Sequence, residues 1–109
     1  MTDILAIVAI VERGKADHVV ARAKKAGANG ATIFYARGTG ENEAKKFLNM
    51  YIESSKEIIL ILTEKEKAKK IFDEMVEAGK LNEPGTGIIF TIPVSNLVGL
   101  HHREEFKLD

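Results

Sequence analysis

Four stretches of the chain are almost continuously apolar, and two of the segments between them repeat on a helical period. Ile4-Leu5-Ala6-Ile7-Val8-Ala9-Ile10-Val11 is rich in β-branched residues, the pattern of a strand covered on both faces. Glu12-Arg13-Gly14 ends it. Residues 15–26 read as a helix, with Val19, Ala23 and Ala26 on one face and Lys15, Arg22 and Lys25 outward. Gly27 is placed to stop that helix as its C′ residue. Residues 31–37 (Thr32, Ile33, Phe34, Tyr35) form the second strand. A polar loop covers 38–53, with a short helical pattern at 42–50. The third strand covers 56–62 around the run Ile58 to Leu62. Thr63 is suited to cap a helix over 64–78, where Ala68, Ile71, Phe72, Met75 and Val76 make one stripe. Gly79 closes it. After Pro84 comes the fourth strand, 88–94; the tail from Ser95 to Asp109 is weakly patterned and ends polar.

The resulting order, βαββαβ, is the split-βαβ arrangement: an α+β, ferredoxin-like fold with an antiparallel sheet. Right-handed crossovers give strand order 4-1-3-2 with both helices on one face. Strands 1, 3 and 4 are apolar on both faces, yet two helices cover only one. The open face needs another cover, and a second copy of the chain supplies it most simply. An obligate homo-oligomer is expected.

Composition narrows the functional classes. The chain's 109 residues suit one domain, 1–109, and 45% hydrophobic content suffices for a core. Sixteen basic and sixteen acidic residues leave a formal net charge of +0, so no global basic field attracts nucleic acid or an anionic membrane. The chain has no cysteine, which excludes disulfides, thiolate metal sites and cysteine nucleophiles. The first apolar run is too short to span a bilayer and lacks a basic flank, so the cytoplasm is the expected location.

One tripeptide occurs twice: Gly38-Thr39-Gly40 after the second strand, and Gly85-Thr86-Gly87 before the fourth. Such glycines read either as ordinary turns or as places where backbone N–H groups cradle a phosphate. The expected topology sets both on one rim of the sheet, on opposite edges, three strand spacings or roughly 14 Å apart.

These residues, in this order, resemble the PII family of nitrogen-regulatory signal proteins over nearly the whole chain. Ala26-Gly27-Ala28-Asn29-Gly30-Ala31-Thr32 resembles the family's first helix end and second strand. Arg37-Gly38-Thr39-Gly40 resembles the [KR]-G-x-G at the base of its T-loop, and Gly85-Thr86-Gly87-Ile88-Ile89-Phe90 its G-[DY]-G-[KR]-[IV]-[FW] signature. Pro93-Val94 fits the C-terminal segment. The resemblance implies a homotrimer that binds adenine nucleotides in three inter-subunit clefts and docks on a transporter, enzyme or regulator through the T-loop, here 38–53. It implies Thr32 facing the adenine, Gly38, Thr39 and Gly40 at the T-loop base, and Gly85, Thr86, Gly87 and Ile88 in the phosphate-facing loop.

The departures matter as much. Ile88 stands where the signature carries Lys or Arg, Thr86 where it carries Asp or Tyr, and Glu41-Asn42 where an Arg-Gln pair follows. Gly99 and His101 align with two arginines; His101 can take a phosphate-facing role that titrates near neutral pH. Each lost Arg–phosphate contact is worth about 1.5–3 kcal/mol. The implied ligand is therefore ADP, AMP or cyclic AMP rather than Mg-ATP with 2-oxoglutarate. The T-loop is short, and Tyr51 falls at its returning end as a packing residue. His101 and His102 are adjacent, which does not favour one shared metal. No catalytic constellation stands out, so no enzyme is expected. Two other readings remain: a ligand-free trimeric interaction module, and a metal-responsive trimer of the divalent-cation-tolerance type.

Overall fold

The computed structural model describes residues 3–38 and 54–100. Among the described residues six elements follow in order: β1 (Ile4–Glu12), α1 (Ala16–Lys25), β2 (Thr32–Gly38), β3 (Ser54–Glu64), α2 (Lys65–Gly79) and β4 (Gly87–Pro93). They build an antiparallel sheet in the order β2-β3-β1-β4, as the sequence pattern predicts. The short helical pattern at 42–50 lies outside the described residues.

Alternation along the paired strands sorts their side chains into two faces. Ile7, Ala9 and Val11 on β1 lie beside Ile61, Ile59 and Glu57 on β3, all toward the helices. Against them pack Val19, Ala23, Ile71 and Met75, each fully buried. These are the stripes that the helical periodicity marks. The opposite face carries Val8 and Ile10 of β1, Ile58 and Leu60 of β3, Phe34 of β2, and Ile88, Phe90 and Ile92 of β4. Phe34, Ile88, Phe90 and Ile92 are exposed on it. The apolar character of both faces is thus real, and the helices cover one.

Three local expectations are corrected. Thr63 does not cap α2: it is a buried β3 residue opposite Leu5, and the strand runs on through Glu64 into the helix. Continuous pairing with β1 overrides the cap preference. Gly79 remains helical, and Lys80 takes the left-handed position instead, at φ 53°. Its N–H reaches Glu77 O, and Leu81 N–H reaches Val76 O at 2.9 Å, which together form a Schellman end. Gly79 is small for a different reason, because a Cβ there would lie 3.0 Å from Leu81 Cγ. β3 also exceeds the expected 56–62 at its start, where Ser54 and Ser55 pair with Gly38 and Arg37. By contrast α1 ends as its sequence indicates. Gly27 N–H reaches Lys24 O at 3.1 Å and Ala28 N–H reaches Ala23 O at 3.0 Å, with Gly27 at φ 122°.

Candidate functional site

The rim where β2 ends and β4 begins is built on a row of strand partners: Tyr35 opposite Glu57, Glu57 opposite Val11, Val11 opposite Gly87. Gly38, the first residue of one Gly-Thr-Gly copy, and Gly87, the last of the other, meet this rim, one at each edge of the sheet. The two copies use glycine differently. Gly85 and Gly87 have φ values of 80° and 147°, in the region that favours glycine. A Cβ on Gly87 would lie 2.4 Å from Ile10 O, so only glycine lets β4 approach β1 there. Gly38 has no positive φ; a Cβ on it would lie 3.1 Å from Lys56 Cε. Its bareness leaves room for the lysine stem. Thr39 and Gly40 of the first copy lie outside the described residues, as does His101.

Among the other sequence candidates, the Thr86 hydroxyl lies 2.8 Å from Lys80 O and 2.9 Å from Glu83 O. It ties the α2–β4 loop to itself. Ile88 projects from the open face beside Ile10, 56% exposed. Thr32 lies on the same open face, opposite Leu60, at the far end of β2 from Gly38. Six residues of strand separate those two, about 20 Å. Within one chain the structure therefore brings Gly85, Gly87 and Ile88 together on one edge and sets Gly38 and Thr32 along the other. It does not close a single pocket around all of them.

One buried charge at the rim escapes a reading by motif. Glu57, the last polar residue before the apolar run of β3, is 8% exposed and faces the helices. Its Oε1 accepts the N–H of Gly14 and of Ala16, each at 2.9 Å. Lys15 at the N-cap of α1 offers no side-chain acceptor, so a carboxylate more than forty residues away in sequence completes that helix start. The turn is held further by Arg13, whose N–H reaches Ser55 O at 3.2 Å and whose guanidinium stands 5.5 Å above the Tyr35 ring. Lys56, on the open face, pairs with the Glu12 carboxylate. In sequence Glu57 belongs to the polar start of β3, Ser54-Ser55-Lys56-Glu57, so nothing local marks it as buried or names its partner.

Between the two helices charge is structural. Arg22 joins α1 to α2 through Glu74 Oε1 at 2.5 Å and through Glu77. Those hydrogen bonds, to Glu74 first and then Glu77, raise the guanidinium pKa above its ordinary value. Among the described residues no group of three or more His, Cys, Asp or Glu is placed to hold a metal ion. Nor is any described helix long and apolar enough to cross a membrane.

The sequence model of the family described as Nitrogen regulatory protein P-II matches residues 4–104. The chain belongs to the P-II family. Its fold is similar to that of Arabidopsis thaliana PII in a crystal structure bound to citrate, at 23% identity and TM-score 0.68, over 93% of this chain and 86% of that one. It is also similar to B. subtilis GlnK in an ATP complex, at 18% identity and TM-score 0.69, over 88% of this chain and 85% of the other. Among curated protein sequences none matches significantly. The P-II family is one of regulatory proteins, and this chain shares its fold.

Proposed function

We propose that this P-II family member is a homotrimeric signal protein that binds an adenine nucleotide between subunits and signals through residues 38–53 to a protein partner. One observation carries the reading: Gly38 and Gly87 share a rim but sit on opposite edge strands of the sheet, so a site that uses both needs the edge of a second copy. The open apolar face supports the assembly. Covering the half-exposed Phe34, Ile88, Phe90 and Ile92 would contribute about 3–6 kcal/mol per subunit, at half the value of full burial for each.

The ligand is a nucleotide with few phosphates: ADP, AMP or cyclic AMP in preference to Mg-ATP with 2-oxoglutarate. Ile88 stands at the signature's basic position, exposed and uncharged. GlnK in its ATP complex and PII bound to citrate are two proteins of this fold with anionic ligands, which supports an anionic ligand here. We read the chain as a cytoplasmic regulator rather than an enzyme.

Two measurements test this together. Light scattering should give three times 12.0 kDa at micromolar concentration, and Phe90→Glu on the open face should reduce that mass. A thermal-shift titration should show saturable stabilisation by one adenine nucleotide, approaching about 2.7 kcal/mol at 100 times Kd. A concentration-independent monomer would remove the inter-subunit cleft, and a trimer that binds none of these nucleotides would favour a ligand-free interaction module. Ile88 makes that second reading specific, because its exposed side chain is able to fill the cleft.

A further inference from the structure

At the rim, Lys56 lies on the open face beside Gly38. Its stem crosses Gly38, where a Cβ would lie 3.1 Å from Cε. Its head is held by Glu12 from the neighbouring strand, the next residue after Val11, which pairs with Gly87. The Lys56 side chain is 20% exposed and Glu12 43%. The lysine is therefore the more enclosed member, and the carboxylate lies on the solvent side of the pair. An oxyanion arriving at the rim from solvent meets Glu12 first. It is repelled there, and the lysine behind it is already neutralised.

We propose that Glu12 is a resident carboxylate that occupies Lys56 and sets the rim's selectivity against strongly anionic ligands. This rests on the cleft reading above only for the identity of the natural ligand. The competition itself is a property of this pair. An exposed ion pair is weak, so the barrier is modest and reversible; its effect on a polyanion combines the masked cation with the added repulsion. Oxyanions from two sources, phosphoryl or carboxylate, would compete for the same lysine. Their affinity is suppressed in proportion to charge, while uncharged adenosine is unaffected.

The test uses the full chain with three probes: inorganic pyrophosphate, succinate and adenosine, each titrated calorimetrically. Glu12→Gln is near-isosteric and removes the charge alone. It should tighten pyrophosphate binding by about tenfold and leave adenosine within a factor of two. The gain should vanish in Glu12→Gln/Lys56→Met and persist in Glu12→Gln/Lys56→Arg, with unchanged far-UV circular dichroism and mass. A gain for succinate alone assigns the rim to carboxylates; a gain for pyrophosphate assigns it to phosphoryl groups. If Glu12→Gln gains nothing for either anion, or the gain survives loss of Lys56, the inference is wrong even if the native chain binds a nucleotide. If the gain appears as described but no nucleotide binds, the inference stands and the nucleotide reading falls.

Discussion

Removing the Glu57 carboxylate should be the most damaging single change at the rim that leaves the backbone alone. Its Oε1 receives the N–H of Gly14 and Ala16 at 2.9 Å each, inside a site where the side chain is 8% exposed. Water has little access to replace it. An ordinary N-cap loss costs about 0.5–2 kcal/mol, and a hydrogen bond to a charged acceptor contributes about 1.5–3 kcal/mol. Both donors share one oxygen, so the two contributions do not simply add. Glu57→Ala is expected to lower stability by about 2–4 kcal/mol, with a small cavity included. Glu57→Gln keeps an oxygen in place but removes the negative charge facing the start of α1, and should cost about 1 kcal/mol. The assay is urea unfolding at fixed protein concentration, because coupling to assembly makes stability concentration-dependent. With an m-value of about 2 kcal/mol/M, the alanine variant's midpoint should fall by about 1–2 M. Hydrogen exchange at the Ala16 amide should accelerate in parallel. A Glu57→Ala midpoint within experimental error of the parent would refute the argument, since it would mean that solvent already satisfies these donors.

The two glycines of the second turn should separate sharply. Gly87→Ala drives a methyl to 2.4 Å from Ile10 O and is expected to cost about 3 kcal/mol or more, whereas Gly85→Ala has open space and should cost about 1 kcal/mol from its positive φ alone. Equal urea midpoints for the two variants would contradict the close β1–β4 approach. Lys80→Gly should stabilise the chain by about 1 kcal/mol, because Lys80 holds a left-handed Schellman position at φ 53°. Scanning calorimetry should record a higher melting temperature, and a lower one would count against strain at that cap.

The sequence determined the elements and their order. Continuous apolar runs at Ile4–Val11 and Ile58–Leu62 state a strand apolar on both faces, and a stripe such as Ala68, Ile71 and Met75 states a helix with one face buried. These are local periodicities, and local periodicity survives in one dimension. The end of α1 was legible for the same reason, since Gly27 acts within its own turn. Family signatures were equally readable, because glycines beside a strand keep a fixed spacing. What only the tertiary structure decided lies between elements. Thr63 looks like a cap until β1 pairs with it, and Glu57 looks like a stray charge until α1 begins directly over it. Likewise Gly38 and Gly87, alike in sequence, differ in what a methyl would strike: a flexible lysine stem at one, the backbone oxygen of Ile10 at the other. Such contacts join residues tens of positions apart, so no window along the chain contains both partners. Pairing fixes them, and the pairing exists only once the sheet has closed.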